Sequence, residues 1–528
     1  MKFKDRFFTI NFLVFILLFI TGMYLTLIQV MGFGFSRIPG DLADSRLNNY
    51  FLEHGHLFFS GQLSQYWSAP FMYPEADVIN RSDNLLGTLP LYSVFRIIGW
   101  SRESAYQGWM ILVFALNFLA AAYALKKSTG NLAIASVGAY IFAFSLAVTS
   151  SQINHSQVFP RFAVPLVIYW LYCFFRTQKT VYFAGTVFGI AFQFYAGIYL
   201  GFMLALCAMA YILIRIIWIK QFLNWIKTLG WKKTASVILL SLLALLSLLP
   251  LMYPYYQLSI ASGGRPYDQA LNSIPHISSY FFTGQGTLFW RFLEDTALDV
   301  TNWWDQLLFP GGITIICFIL FPIIAYRNRK EAAAKESLYV YLSLLLVLAF
   351  TIQYDHGSLY KLIFGIPGFS SMRSVSRIIN VELFLFAAIV CFVLYRFNTR
   401  LKNSKIFLVL VAFLTVADQY MSGENIGSYS KAESQARITA IKNKLVANNF
   451  ENYKCFAYIP DDYSISIYNN IDAMLASQDL NIPTVNGYTA DCPGEYGDFW
   501  QTHSAIALHR WMRFKNTDIW NSKMLLIK

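Results

Sequence analysis

Long apolar stretches separated by short polar ones run along most of this chain. About eleven such stretches, each close to the ~20 residues that cross hydrocarbon as a helix, recur before residue 421. They lie at about 7–30, 107–125, 131–150, 157–175, 180–199, 200–219, 234–253, 308–325, 337–352, 378–396 and 404–421. The pair at 180–219 has almost no loop and must turn around Gly197 and Gly201. This pattern predicts an α-helical polytopic membrane protein.

The composition favours the same class. Of the 528 residues, 56% are hydrophobic and 13% are charged, against about 25% charged residues in soluble domains. Residues 7–36 contain no charge, and no small-residue cleavage site precedes the loop that follows. We therefore expect an uncleaved first helix rather than a signal peptide.

Basic residues cluster in alternate polar stretches. With the N-terminus (Lys2, Lys4 and Arg6) in the cytoplasm, the other basic clusters also fall inside, at 126–127, 176–179, 220–233, 327–335 and 396–405. The loops that fall outside, at 31–106, 151–156 and 254–306, contain no lysine. The positive-inside rule therefore predicts a cytoplasmic N-terminus, with the first loop and the region after residue 421 outside. These clusters account for the net charge of +12 without a nucleic-acid partner.

The composition changes after residue 421. We expect residues 1–421, including the long outer loop 31–106, to form a membrane domain, and residues 422–528 to form a small soluble α/β domain on the outer face. In the second domain, residues 455–459 (CFAYI) are typical of a strand, and the Asn486-Gly487 step is a turn signal. Cys455 and Cys492 lie there too, and the sequence leaves open whether they form a disulfide.

Two carboxylates follow the first apolar segment. Asp41 and Asp44 lie three residues apart, just before a stretch at 47–56 (LNNYFLEHGH) that we expect to be helical. Carboxylates at the start of a helix are favoured by the helix dipole and cap its free N–H groups. A lone Asp-x-x-Asp is more often a cap than a catalytic pair, so both interpretations are kept.

Other ionisable residues fall on the same predicted outer face. They are Arg46, His54, Asp83, His155, Arg265, Arg373 and Arg377. Arg161 lies just inside a span, where an unpaired charge is costly, so it either serves a site or snorkels to the surface. Arginines suit phosphate oxygens, and a carboxylate suits proton abstraction from a hydroxyl. Beside long apolar helices, this combination favours sugar transfer from a lipid-linked phosphate donor.

Six short motifs carry a resemblance to a known superfamily. They are 39–46 (PGDLADSR), 49–54 (NYFLEH), 68–74 (SAPFMYP), 82–84 (SDN), 372–377 (MRSVSR) and 485–488 (VNGY). As a set they resemble the GT-C superfamily of polytopic glycosyltransferases, and within it bacterial YfhO-like and dolichyl-mannosyltransferase-like membrane proteins. The resemblance covers most of the chain. It implies an enzyme of a bacterial inner or plasma membrane that makes cell-envelope glycans from a polyprenyl-phosphate sugar donor and a glycan or lipid acceptor.

The resemblance also implies roles for individual residues. In this superfamily the first outer loop supplies a catalytic acid, often one of two adjacent acids. The matching positions are Asp41 and Asp44, although Ser45 follows Asp44 and the adjacent-acid version is absent. Asp44 is the expected general base because it leads directly into the helix, with Asp41 as a capping or assisting acid. The other outer-face residues, with Arg161, are expected to bind donor phosphate or substrate.

A divalent metal is an open question at this stage. Some members of the superfamily need one and others do not. Two carboxylates with His54 nearby are compatible with Mg²⁺ or Mn²⁺ without requiring either ion.

Two other functions stay open: a transporter or flippase of lipid-linked sugars, and a non-catalytic membrane scaffold. Transporters place charged or broken-helix elements near the bilayer midplane and often consist of repeated halves. This chain shows neither feature clearly, because its ionisable residues gather in one outer layer. A scaffold would leave the outer arginines unexplained.

Overall fold

The computed structural model describes residues 10–150, 152–355, 357–461, 466–515 and 523–528, and this part of the chain is mostly helical. Lys2, Lys4, Arg6 and the start of the first predicted span lie outside it. The helices of the first half are α1 (Ile10–Met23), α2 (Gln29–Met31), α3 (Asp44–Phe59), α4 (Leu89–Ile97), α5 (Arg102–Thr129), α6 (Leu132–Phe144), α7 (Leu146–Ser150), α8 (Ala163–Thr177), α9 (Thr180–Ala196), α10 (Ile198–Ile217) and α11 (Ile219–Ser262). Those of the second half are α12 (Tyr267–Leu271), α13 (Gly312–Arg327), α14 (Ala332–Thr351), α15 (Lys361–Phe364), α16 (Ile379–Asn398), α17 (Ser404–Asp418), α18 (Lys431–Ala447), α19 (Ser466–Leu480), α20 (Gly497–Thr502) and α21 (Ala505–Phe514).

Within the described residues, eight helical segments are long and apolar enough to cross a membrane. They are Ile10–Met31, Arg102–Thr129, Leu132–Ser150, Ser156–Thr177, Ile198–Ile217, Ile219–Ser262, Ala332–Thr351 and Val375–Asn398. Helices α9 and α13 are apolar but shorter, and α17 covers most of the last predicted segment. The predicted helical class is confirmed, and the eight candidate spans agree with a membrane protein. The count of about eleven spans and their orientation stay predictions.

The predicted turn between residues 180 and 219 falls at Gly197, which separates α9 from α10. A Cβ on Gly197 would lie 2.9 Å from the main-chain oxygen of Gln157, closer than real Cβ atoms come. Glycine therefore allows the two helices to follow each other directly while the chain passes close to the segment before α8.

Helices α6 and α16 form the centre of the bundle and are almost wholly buried. Helix α6 packs against α1, α5 and α16 and is apolar on every side, as expected for a helix surrounded by others. Helix α11 lies at the periphery, with most of its leucines exposed, and it is interrupted at Gly230, whose φ is 75°.

Two short sheets form outside the bundle. Strand β1 (Arg37–Pro39) pairs antiparallel with β2 (Ser428–Ser430), so the first loop is joined directly to the terminal segment. Strand β3 (Cys455–Tyr458) pairs in parallel with β4 (Met524–Ile527). The strand expected at 455–459 is therefore confirmed, and the terminal segment is a small α/β region.

The first loop and the terminal segment share one hydrophobic core. Phe71 and Met72 of the loop lie in the same buried cluster as Phe456 and Trp511 of the terminal segment. The indole N–H of Trp511 also donates to the main-chain oxygen of Tyr73 at 3.0 Å. The two regions therefore fold against each other. In this core region, Cys455 and Cys492 are both free cysteines.

The turn predicted at Asn486-Gly487 is wrong. The structure has no turn there; instead the side-chain amide of Asn486 accepts from the N–H of Tyr458 and donates to its carbonyl, at 2.7 and 2.9 Å. A Cβ on Gly487 would lie 2.3 Å from Cγ of Met72. The absence of a side chain at Gly487 therefore lets the terminal segment pack closely against the first loop.

Replacing Gly487 with alanine tests this approach. The added Cβ would overlap Met72, and overpacking costs about 1–3 kcal/mol, so we expect a lower melting temperature in detergent and faster proteolysis of the terminal segment. Gly494→Ala is the matched control, because nothing lies within 4 Å of its new Cβ. Equal melting temperatures for Gly487→Ala and wild type would contradict the close packing.

Candidate functional site

Asp44 is the first residue of α3 and the centre of a group of polar side chains. Its Oδ2 lies 3.0 Å from Nδ1 of His155, and its Oδ1 accepts a 3.0 Å hydrogen bond from the hydroxyl of Tyr488. The amide of Asn48 donates to the main-chain oxygen of Asp44 and to Gln157, which fixes this helix turn against the segment before α8. The Asp44 side chain is 23% exposed.

The surroundings of Asp44 favour its ionised form. Burial opposes ionisation, but the hydrogen bond and charge of His155, with smaller contributions from Arg377 and Tyr488, hold the pKa of Asp44 below its usual value. A carboxylate that is ionised at neutral pH is available to accept a proton.

Asp41 caps the same helix. Its Oδ1 accepts from the main-chain N–H groups of Ala43 and Ser45, each at 3.1 Å. Burial, with a smaller effect of the Asp44 charge, raises the pKa of Asp41 to about 6. The two acids therefore differ in their partners: Asp41 accepts hydrogen bonds from main-chain N–H groups, whereas Asp44 contacts the side chains of His155 and Tyr488.

His155 lies between two carboxylates. Its Nδ1 faces Asp44, and its Nε2 lies 3.5 Å from Oδ1 of Asp305. Asp305 is 5% exposed, and its Oδ2 accepts a 2.8 Å hydrogen bond from the hydroxyl of Ser374. Burial raises the pKa of Asp305, but His155 and the charge of Arg377 outweigh it and hold that pKa well below the usual range.

Arg377 supplies positive charge to this group without a direct ion pair. It is 6% exposed, and its guanidinium lies 5.3 Å from the ring centroid of Tyr199. In the described part of the chain, no carboxylate oxygen lies within 4.0 Å of its nitrogens, and its Nε has no hydrogen-bond partner. Its charge nevertheless acts on Asp44, Asp83 and Asp305. Among the described residues, no carboxylate therefore neutralises this guanidinium by direct contact.

Asp83 holds the start of α10. Its Oδ1 accepts from the main-chain N–H of Ile198 at 2.6 Å and from that of Asn84 at 2.9 Å. Burial raises the pKa of Asp83 to about 6, against these hydrogen bonds and the charge of Arg377. Asp83 is thus a helix cap at the border of the site.

Arg373 and Arg265 lie on the outer side of the group. Arg373 is exposed, and its charge acts on Tyr488. Arg265 contacts the terminal segment, with Nη2 3.2 Å from the main-chain oxygen of Ala490 and 3.8 Å from Oδ1 of Asp491. Arg373 therefore contributes charge near Tyr488, whereas Arg265 attaches the loop 254–306 to the terminal segment.

Arg46 and His54 lie on α3 but away from the group around Asp44. Arg46 is 1% exposed, and its Nη2 lies 2.6 Å from Oδ1 of Asp472 in the terminal segment. His54 is 1% exposed, and its Nε2 lies 2.7 Å from the main-chain oxygen of Tyr66. Helix geometry explains both positions. Arg46 follows Asp44 by two residues, so it points about 200° away around the helix axis, and His54 follows Asp44 by ten residues, so it lies about 15 Å further along that axis.

Arg161 does not snorkel to the surface. It is 1% exposed, and its guanidinium donates to Oδ1 of Asn380 at 2.9 Å and to the main-chain oxygen of Ala143 at 3.2 Å. It also lies 5.0 Å from the ring centroid of Phe142. These contacts connect the segment before α8 to α6 and α16 inside the bundle.

The residues around Asp44 do not fit a divalent metal. Among the described residues, no group of three or more His, Cys, Asp or Glu is arranged to hold an ion. Asp44 and Asp305 face opposite nitrogens of His155, so their oxygens do not converge with the imidazole on one point. His54 is engaged elsewhere. The oxygen-rich shell that Mg²⁺ or Mn²⁺ prefers is not formed by these side chains.

Three residues of the site are absent from the sequence-based candidates: Asp305, Tyr199 and Tyr488. Tyr488 belongs to the VNGY motif, which pointed to its segment but not to its contact with Asp44. Asp305 follows Trp303 and Trp304, which are typical of an interfacial belt. The sequence signal that could have indicated Asp305 is its position, because it is an acid directly before a predicted span. Tyr199 lies in an apolar stretch and has no local signal.

The comparisons with known proteins show similarity in fold and no relationship in sequence. No protein-family model matches the sequence, and no curated protein matches it significantly. The archaeal oligosaccharyltransferase AglB from Archaeoglobus fulgidus, solved with an inhibitory peptide and a dolichol-phosphate, is similar over 98% of this chain and 69% of its own, with a TM-score of 0.49 and 10% identity. ArnT from Cupriavidus metallidurans, bound to undecaprenyl phosphate, is similar over 90% of this chain and 89% of its own, with a TM-score of 0.43 and 10% identity. With both scores below 0.5, function has to be argued from the residues of the site.

The capping role of Asp41 predicts how two substitutions differ. An asparagine side chain keeps an oxygen that accepts from the helix N–H groups, so Asp41→Asn should melt at pH 7.5 at or above the wild-type temperature. Asp41→Ala removes the cap and should lose about 1 kcal/mol.

The same carboxylate predicts a pH dependence. The pKa of Asp41 is raised from 3.8 to about 6 in the folded protein, which therefore binds this proton more tightly than the unfolded chain does. Its contribution to the free energy of unfolding should fall as the pH rises from about 4 to about 6. Melting temperatures over this window should show a fall in wild type that is reduced in Asp41→Asn. Identical curves would contradict the assignment.

Proposed function

We propose that this protein is a membrane glycosyltransferase that moves a sugar from a polyprenyl-phosphate donor to a hydroxyl of a glycan or lipid acceptor on the outer face of the membrane. One observation carries the proposal: an accessible carboxylate held in its ionised form, Asp44, lies in the same group as the buried Arg377, which has no ion-pair partner among the described residues. The motif resemblance to the GT-C superfamily supports the same reaction.

The position of the site suits a lipid-linked donor. His155, Arg377 and Asp83 each lie at the start of a helix that is long and apolar enough to span the membrane. A phosphate bound at these helix starts would leave its prenyl chain free to extend along apolar helices. Polar residues beside apolar helices therefore support a donor with a charged phosphate and an apolar chain.

Each half of the reaction has a group suited to it. The acceptor hydroxyl gives its proton to Asp44 while its oxygen attacks the anomeric carbon, and the bond from that carbon to the donor phosphate breaks. Arg377 stabilises the negative charge that stays on the phosphate, and Arg373 adds a second positive charge nearby. Attack opposite the phosphate inverts the configuration at the anomeric carbon.

Transfer from a radiolabelled polyprenyl-phosphate sugar tests the role of Asp44. General-base catalysis contributes about 10²–10⁴-fold, so Asp44→Asn should lower kcat by about this factor while its melting temperature stays near that of wild type. Asp77→Asn is the matched control. Asp77 is an exposed acid of the same loop with φ of 54°, which asparagine tolerates, and this variant should keep wild-type transfer.

Two outcomes would contradict this assignment. The first is wild-type transfer by a folded Asp44→Asn protein. The second is a wild-type protein that moves lipid-linked sugar across the bilayer of proteoliposomes without transferring it, which would favour the transporter instead.

Substitution of Arg377 tests the phosphate-binding role. Lysine keeps the charge but not the two-pronged guanidinium, so Arg377→Lys should raise the KM for the donor and lower kcat, and Arg377→Ala should lower transfer further. Arg291→Lys, at an exposed arginine of the loop 254–306, is the control and should behave as wild type. An Arg377→Lys protein with unchanged donor kinetics would exclude a bidentate contact to phosphate.

A further inference from the structure

The imidazole of His155 faces an acid on each side. Its Nδ1 lies 3.0 Å from Asp44, which comes from the loop 31–106, and its Nε2 lies 3.5 Å from Asp305, which comes from the loop 254–306. Asp305 is buried, and the hydroxyl of Ser374 holds its other oxygen. Nothing in the proposed transfer step uses Asp305, because the imidazole separates it from Asp44.

The protonation of the ring decides whether both acids are satisfied. A neutral imidazole carries one N–H, so it can donate to one carboxylate and turns a lone pair toward the other. The doubly protonated ring donates to Asp44 and directs its second N–H at Oδ1 of Asp305, which lies 3.5 Å away and has no hydrogen-bond partner among the described residues. A half-buried carboxylate at one nitrogen and a buried carboxylate at the other therefore both favour the imidazolium.

We propose that Asp305 is a positioning residue that acts on Asp44 through His155, by keeping the ring doubly protonated with its Nδ1–H directed at the carboxylate. This inference rests on the proposed function, since it concerns how the base of that reaction is held. The reactive form of the site then contains an ionised Asp44 hydrogen-bonded to an imidazolium.

The other charged groups around His155 have opposing effects. Burial and the charge of Arg377 lower the pKa of His155, whereas Asp305 and Asp44 raise it, and the net result is a raised pKa. Asp41 also acts on the ring through its charge. Tyr488 contacts Asp44 on the oxygen that does not face His155. Asp305 is therefore one of two acids in contact with the ring, and it is the one that takes no part in the proposed transfer step.

The test compares Asp305→Asn with wild type over a range of pH. Loss of a neighbouring opposite charge shifts a pKa by about 1–3 units, so the pKa of His155, followed by NMR of histidine-labelled protein, should fall by about this amount. The His155→Gln spectrum identifies its signal among the seven histidines. The alkaline limb of the kcat profile should move to lower pH by the same amount, with near-wild-type turnover on its acid side.

Two further variants separate positioning from a structural role. Glutamine at position 155 donates an N–H to Asp44 and does not titrate, so His155→Gln should lack this alkaline limb, and adding Asp305→Asn should not change its profile. Asp299→Asn makes the same chemical change at an exposed acid of the same loop and should leave both the His155 pKa and the profile unchanged.

Each result supports or overturns the proposal. An unchanged His155 pKa in Asp305→Asn overturns it, and so does a uniform loss of activity at every pH, which indicates a structural role. A lower His155 pKa with an unmoved kcat profile excludes the imidazolium as the reactive form. If wild type transfers no sugar but the His155 pKa falls in Asp305→Asn, the coupling of Asp305 to His155 stands and the proposed function fails.

Discussion

The contact between His155 and Asp44 joins the turn before α8 to the first turn of α3, and the rest of the candidate site depends on it. The imidazole satisfies a carboxylate at the end of an apolar bundle, where an unpaired charge would be costly. It also connects that carboxylate to Asp305, and Arg377 balances the surplus negative charge without forming an ion pair with any acid of the described residues. Removal of the imidazole would leave two partly buried acids facing each other across a gap.

Some of this arrangement could be predicted from the sequence because topology restricts it. Positive charges assigned the loops to one side of the membrane, and His155, Arg377 and Asp44 were expected on the same face. The structure brings these three together. Arg46 and His54 share that face but not the site, because a helix points neighbouring residues in different directions and separates distant ones along its axis.

Contacts between residues that are distant in the sequence could not be predicted from topology or periodicity. Asp305 reaches His155 through a loop whose path depends on its contact with Ser374, and no periodicity reveals that contact. Gly487 is a similar case: the Asn-Gly step is a turn signal by local preference, yet the close approach of Met72 determines its conformation. The strand at 455–458 and the helices of the bundle were predictable because their apolar patterns are local.

The terminal segment contributes a side chain to the site. It shares a core with the first loop, and Tyr488 donates to the oxygen of Asp44 that His155 leaves free. An acceptor hydroxyl bound for deprotonation needs this same interaction. Under the proposed function, acceptor binding therefore replaces the tyrosine contact, which makes the terminal segment part of the acceptor side of the site.

The account is tested most directly by the products of a single turnover. Purified wild-type protein is mixed with a limiting amount of polyprenyl-phosphate sugar and an acceptor, and the released polyprenyl phosphate and the glycosylated acceptor are both quantified. The account predicts that the two products form in equal amounts and at the same rate. Polyprenyl phosphate released without glycosylated acceptor, or a donor that stays intact, would contradict it.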